Sequence, residues 1–209
     1  MAYESKAVAR RRKLRDALIT AAERTIAAEG LRGLKARELA YKVGCAVGAI
    51  YNVVTDLDDL IFAVNALTLE QLEKTLTIAG RPQTDPKADA VKTLIHLGLA
   101  YTDYAAAHTP RWRALFDHRL PAGREVPTWY MANLHRLFVY IEEPLRNLAP
   151  AMMPARRTLL ARSMFSAVHG IVLIGLEEKL QSIPLPVLRE QVTVMVEALA
   201  RGLAQDAAK

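Results

Sequence analysis

Apolar residues recur along this chain at three- and four-residue steps, and nowhere do they alternate with polar ones long enough to make a strand. From Lys13 to Glu29, Leu14, Leu18, Ala21, Thr25 and Ile26 mark one face of an amphipathic helix closed by Gly30. Residues 2 to about 9 show no periodicity and are expected to be mobile. Leu34, Leu39, Ala40 and Val43 share the face of a second helix, and Gly44 follows where a departing chain turns left-handed. After a short link at Cys45, Val47 to Val54 form another helical segment with Ile50 and Val54 inward. Asp56 stands where it can cap the next helix, with Asp58 and Asp59 in the first turn, against the positive end of the helix dipole. Two short helices joined by a Gly-containing turn describe a helix-turn-helix, whose second helix is built to enter a DNA major groove.

Leu57 to Ile78 continues as a long helix with Leu60, Ile61, Val64, Leu67, Leu72 and Leu76 on its apolar side, linking this head to the remainder. Gly80-Arg81-Pro82, with Pro86 beyond, is the clearest break. Helices are then predicted over Ala88–Ala107 and Pro110–His118, with Pro at the start of the latter, followed by a loop over Pro121–Pro127. Thr128–Leu148 follows, and Pro144 is expected to kink or shorten it. Met153–Leu180 and Leu185–Leu203, separated by Pro184-Leu185-Pro186, complete the chain. Met164, Phe165, Val168, Ile171, Val172 and Ile174 cover more than one face, as do Leu188, Val192, Met195, Val196, Leu199 and Leu203. Helices apolar nearly all round are buried on all sides, in a core or between subunits. The fold class is therefore all-α, with a three-helix head over residues 1–60 and a helical domain over 61–209.

Net charge sharpens this division. Residues 1–55 hold eleven Lys and Arg against five Asp and Glu, whereas residues 56–209 hold seventeen of each, so the whole excess of +6 lies on the helix-turn-helix end. A polyanion met by that end alone accounts for it; the plainer alternative is a solvated basic tail, since Arg10, Arg11, Arg12 and Lys13 supply much of the surplus. The single cysteine, Cys45, excludes an internal disulfide and suits a reducing cytosol, either as a turn-packing residue or as a redox sensor. The basic N-terminus runs into a charged helix rather than an apolar core, so no secretory signal is expected. The apolar run Met164 to Leu176 falls short of the about 20 residues a bilayer needs. A soluble, cytoplasmic protein with no membrane partner is expected.

Arg37, Leu39-Ala40, Gly44 and Gly48-Ala49-Ile50-Tyr51, with Glu29-Gly30 before and Leu60 after, resemble the N-terminal signature of the tetracycline-repressor (TetR) family of bacterial regulators. The resemblance covers the first quarter of the chain in detail and the rest in outline. It implies a homodimeric, ligand-responsive regulator, most often a repressor, that binds a palindromic operator in double-stranded DNA. The domain over 61–209 would then bind the effector and form a four-helix dimer interface from the last two helices, although a monomer core is the other reading of those helices. Position by position, the resemblance assigns DNA contact to Lys35, Arg37, Ala46, Val47, Gly48, Tyr51 and Asn52. Arg37 suits a bidentate contact to guanine or, more plainly, a nearby carboxylate; Val47 suits a thymine methyl, and Asn52 a base or phosphate. The chain departs from the family at Ala46, Val53 and Leu57, which lack the donors that usually hold phosphate, and at Val54, where phenylalanine is usual. Lys35, Lys42 and an arm over Arg10–Lys13, laid in a minor groove as homeodomain arms are, would compensate.

Trp112, Phe116, Trp129, Tyr130 and Phe138 cluster in the middle third, with His135 among them. Trp112, Phe116, Trp129, Phe138 and His169 are candidates to line a pocket for an unknown small-molecule effector, though aromatics at helical spacing also make ordinary core. Phe165-Ser-Ala-Val-His169-Gly170 resembles the Trp-x-x-x-His-Gly element of one C-terminal subclass of the family, with Phe in place of Trp. The five histidines show no paired metal spacing, and there is no phosphate loop or nucleophile elbow, so no metal, cofactor, catalytic residue or enzyme activity is expected. The rival reading is a helical ligand-binding or scaffold dimer that has lost specific DNA binding, supported by the missing phosphate donors.

Overall fold

Helix is the only regular structure among the residues described by the computed structural model, which are 6–81, 85 and 89–206. In chain order the helices are α1 (Lys6–Glu29), α2 (Ala36–Val43), α3 (Val47–Ile50), α4 (Leu57–Ala79), α5 (Ala90–Ala107), α6 (Thr109–Asp117), α7 (Thr128–Leu148), α8 (Pro154–Gly175) and α9 (Leu185–Asp206). Short 3-10 turns cover Leu31–Gly33 and Glu178–Leu180. Pro82 and Pro86 of the expected break lie outside the described residues.

Two compact units form, and each takes two stretches of chain. The first contains the residues up to Glu70 together with His108–Tyr130. Leu18, Ala22 and Ile26 of α1, Leu39 and Ala40 of α2, Ile50 of α3, Leu60, Ile61 and Val64 of α4 and Ala114 of α6 share one apolar cluster. Each fully buried Leu or Ile there contributes about 1.5–3 kcal/mol relative to exposure. α6 also brings a charge inside: Arg111 pairs with Glu23 at 2.9 Å and donates to Thr68 Oγ1 at 3.1 Å. The Asn65 amide donates to the Ala114 carbonyl at 3.1 Å, tying α4 to α6.

The second unit contains Gln71–Ala107 and the residues from Met131 onward. Leu94, Leu97, Tyr101 and Ala105 of α5 are buried, as are Met164, Val168 and Val172 of α8 and Leu188, Val192 and Val196 of α9. At Gly98 a Cβ would lie 3.1 Å from Val192 Cγ1, so this glycine lets α5 and α9 approach. Thr77 and Tyr140 share a hydrogen bond of 2.7 Å, and Arg189 pairs with Asp103.

Several elements differ from the periodicity reading. α1 begins at Lys6, so residues 6–9 are helical, and residues 2–5 of the stretch expected to be mobile lie outside the described residues. α3 stops at Ile50, and Tyr51 to Val54 continue as tight turns closed by Val53 N–H and Val54 N–H on the Ile50 carbonyl. The β-branched run Val53-Val54-Thr55 disfavours further helix there. α7 runs through Pro144 to Leu148 undiminished; the proline removes one N–H in the last turns, where burial of Leu145 and Ala149 holds the helix. α8 ends at Gly175 instead of Leu180, because α9 crosses there: a Cβ on Gly175 would come within 2.5 Å of Leu188 Cδ1, and Ile183 N–H bonds the Gly175 carbonyl. The apolar residues Leu176 and Leu180 prolong the pattern beyond the helix that carries it.

α8 and α9 are also not buried on all sides within one chain. Ile174 and Val194 are each 59% exposed, and Leu159, Val187 and Leu199 are open as well. α8 as a whole is long and apolar enough to cross a membrane by length and composition, although the run Met164–Leu176 alone is not. Here its Ala161, Met164, Val168 and Val172 are buried on the side that packs with α5 and α9.

Candidate nucleic-acid interface and effector site

α2 ends in a Schellman arrangement. Gly44 takes φ 74°, ψ 41°, while Cys45 N–H bonds the Ala40 carbonyl at 2.9 Å and Gly44 N–H the Tyr41 carbonyl at 3.2 Å. Three residues later α3 begins, with Ile50 buried beneath it. The turn therefore fixes which side of each helix faces the core. Lys35, Arg37, Ala46, Val47, Gly48, Tyr51 and Asn52 are all exposed, whereas Leu39, Ala40 and Ile50 of the same helices are buried. Among the described residues the Arg37 guanidinium has no ion pair. Ala46, at the N-cap of α3, supplies no side-chain cap.

Tyr41 is a residue that sequence reasoning overlooked. It is 86% exposed, one helical turn after Arg37 on the polar side of α2. An aromatic off the apolar stripe at that step is the signal that could have found it. Beside it Lys42 is held by Thr25 Oγ1 at 2.9 Å and lies 3.9 Å from Glu29.

The start of α4 carries the expected Asp56 cap and, in Arg124 and His118, two partners that the sequence reading did not supply. Asp56 caps it, accepting from Asp59 N–H at 3.0 Å, and the Asp59 carboxylate in turn accepts from Thr55 N–H at 3.0 Å. Arg124, from the loop after α6, bonds Asp56, reaches Asp59 at 2.8 Å and lies 3.3 Å from Asp58. His118 Nε2 lies 2.9 Å from Asp58 Oδ1, with its ring against the edge of Phe62 at 5.0 Å. Burial opposes ionisation of Asp56, but the hydrogen bonds from Arg124 and the Asp59 N–H outweigh it and hold the carboxyl below its ordinary value. The Asp56–Asp59 turn follows the tight turns after α3, so Arg124 offsets negative charge close in sequence to the exposed Tyr51 and Asn52.

The expected arm over Arg10–Lys13 is helical, part of α1. An α-helix about 10–12 Å across does not fit a minor groove about 6 Å wide. The minor-groove reading of this arm is therefore corrected.

The candidate effector residues divide between the units. Trp112 is fully buried and edges Phe116 at 5.7 Å, while half-exposed Trp129 lies 6.5 Å from Phe62 and 5.8 Å from Tyr130; all belong to the first unit. Burial pushes the Tyr130 hydroxyl up to about 12, with the neighbouring Asn65 opposing that rise; among the described residues Asn65 Oδ1 is buried without a hydrogen-bond partner. Phe138 and His169 belong to the second unit, joined through Phe165: it edges Phe138 at 5.5 Å and stacks on the His169 ring at 5.5 Å. The Tyr101 hydroxyl lies 2.7 Å from His169 Nδ1, and burial lowers the His169 pKa from its ordinary value. Tyr101 and Phe165 are the members that the sequence reading left out of this cluster. Among the described residues no group of His, Cys, Asp and Glu could hold a metal ion.

Residues 94–199 match the family model described as "Tetracyclin repressor-like, C-terminal domain". No curated protein matches the chain. Among solved structures, a protein with unknown function from Rhodococcus sp. RHA1 is 23% identical with a TM-score of 0.71, over 91% of this chain and 95% of that one. A tetR-family transcriptional regulator from Streptomyces coelicolor is 19% identical, with a TM-score of 0.64 over 94% of this chain and 89% of that one. RolR, solved in complex with the ligand resorcinol, is also 19% identical, with a TM-score of 0.59 over 93% and 94%. At these identities the likeness is one of fold.

Proposed function

This chain belongs to the tetracyclin repressor-like family of transcriptional regulators, and from that premise we propose that it is a repressor acting as a homodimer on a palindromic operator, released by a small-molecule effector. The observation that carries the reading is the exposed row Lys35, Arg37, Val47, Gly48, Tyr51 and Asn52, on and beside two helices whose Leu39, Ala40 and Ile50 turn inward. In the major groove Arg37 would pair bidentately with guanine, Val47 would touch a thymine methyl, and Tyr51 and Asn52 would bond phosphate or a base edge. The head over residues 1–60 reads DNA, and residues 61–209 sense and dimerise.

The open apolar residues of α8 and α9 support a second copy as their cover, and a Cβ at Gly170 or Gly202 would meet nothing within 4 Å, leaving room for it. A two-fold dimer presents two heads to half-sites about one DNA turn apart. The Tyr101–Phe165–His169–Phe138 cluster is the proposed effector site, aromatic with a hydroxyl and an imidazole to orient a ligand. RolR with resorcinol is an instance of a small aromatic bound by a protein of this fold. The effector acts only through its difference in affinity for the DNA-competent and mis-spaced dimers, and reversing a 99:1 preference needs about 10⁴-fold.

Ala46, Val53 and Leu57 offer no donor to phosphate, which favours the rival, a ligand-binding dimer without DNA reading. Footprinting on DNA upstream of the chain's own gene separates the two. Saturable protection of a palindrome is expected; no protection even at low salt overturns the proposal.

A further inference from the structure

We infer that the first two turns of α1 are a second DNA-contacting element, a basic helix laid along the sugar–phosphate backbone outside the grooves. The inference rests on the DNA-binding reading above. Leu14 is the first residue of α1 that packs against the core of its unit, and every side chain from Lys6 to Lys13 is exposed except Ala9. At about 1.5 Å per residue, Lys6 stands about 12 Å beyond that packed edge.

This projecting segment is electrostatically unfavourable by itself. Lys6, Arg10, Arg11, Arg12, Lys13 and Arg15 are all basic, and the first carboxylate within α1 is Asp16. Lys6–Arg10, Arg10–Lys13 and Arg11–Arg15 are like charges three or four residues apart, a spacing that destabilises a helix. They also crowd the N-terminal end, where the dipole is already positive. Asp16, a turn beyond Arg12 and Lys13, balances one charge. A partner that makes such a helix favourable is a dense array of negative charge. With only Ala7, Val8 and Ala9 as apolar side chains, the segment lacks the greasy face that an anionic membrane surface demands. Duplex DNA carries one charge per about 1.7 Å and needs no such face. The contact would supply the phosphate binding that Ala46, Val53 and Leu57 cannot.

The test is the full-length protein with Arg10→Gln, Arg11→Gln and Lys13→Gln together, titrated by fluorescence anisotropy against a labelled duplex from upstream of its own gene and an unrelated duplex of equal length, across a salt series. The slope of log Kobs against log[salt] should become shallower by about 0.9 for each phosphate given up, hence by as much as about 2.7 per protomer. Because phosphates carry no sequence information, the loss should be similar on both duplexes, and their affinity ratio should hold. A charge-keeping control, Arg10→Lys with Arg11→Lys, should retain the slope, and thermal melting should show all variants folded. A triple variant that binds with the wild-type slope overturns the inference while leaving the regulator reading intact. Wild-type protein that binds neither duplex at low salt overturns that reading itself.

Discussion

Gly48 lies in the exposed row of α3, yet nothing in its own chain requires a glycine there. A Cβ at that position would meet nothing within 4 Å, and its backbone is not in the left-handed region. Glycine inside a helix costs roughly 0.5–1 kcal/mol relative to alanine, and the lower end applies in a helix as short as α3. Gly48→Ala should therefore stabilise the folded chain by about 0.5 kcal/mol, raising its melting temperature by about 1–2 °C. If α3 seats in a major groove, the missing side chain is what lets its backbone approach the bases. A methyl group forced into such a packed contact costs about 1–3 kcal/mol, or about five- to more than a hundredfold in Kd. One substitution thus moves two quantities in opposite directions. Calorimetry reads the first, and anisotropy on the operator found by footprinting reads the second. A variant that melts higher and binds as tightly as wild type would show that α3 does not approach DNA at Gly48. One that melts lower would show that the space around Gly48 is not open.

Other substitutions probe the remaining groups. Arg37→Lys keeps the charge but loses the planar fork, so preference for the correct base at one position should fall by about 1–3 kcal/mol, with the salt slope unchanged; an unaltered preference among single-base operator variants removes Arg37 from base reading. In the first unit the Arg111 side chain is 9% exposed and its partner Glu23 27%. Stranding the cation by Glu23→Ala should cost about 2–3 kcal/mol, less than the full penalty of a buried pair because Thr68 still accepts from Arg111. Arg111→Met leaves a carboxylate that water can reach and should cost less; urea unfolding giving the reverse order would refute this account. His169 is held by burial below its ordinary 6.5, so its contribution to stability is present above that pH and is lost as pH falls through the lower folded value. His169→Asn should flatten that part of the stability-against-pH curve, and an unchanged curve would assign the loss to other groups.

The helix-turn-helix was legible because its determinants are local. Gly44 follows α2 at the Schellman position, Asp56 precedes α4, and Leu39 and Ala40 of α2 and Ile50 of α3 turn into one core. What escaped depends on pieces distant in sequence. Arg124 is an ordinary loop arginine until the fold brings it to three aspartates more than sixty residues earlier. The end of α8 is set by Leu188 crossing Gly175, and no periodicity reports a crossing helix. Phe138 and His169 are bridged by Phe165, itself on the quoted Phe165–Gly170 element, whereas Trp112 and Phe116 form a separate pair; grouping aromatics by nearness in sequence cannot tell these apart. The basic segment was visible as composition, but its conformation was not, since its side chains lie on no apolar stripe.

The discontinuous first unit bears on modular exchange. Ala114 of α6 sits in the same cluster as Leu18, Ile26 and Ile50, and Arg111 answers Glu23 of α1. A chimera that transplants the DNA-reading head onto a foreign sensor by splicing after residue 60 would leave that cluster open and an anion without its counterpart. A transplant that keeps its shape has to bring residues 108–130 along, so recombination between relatives should succeed where crossovers respect both segments and fail where they split them.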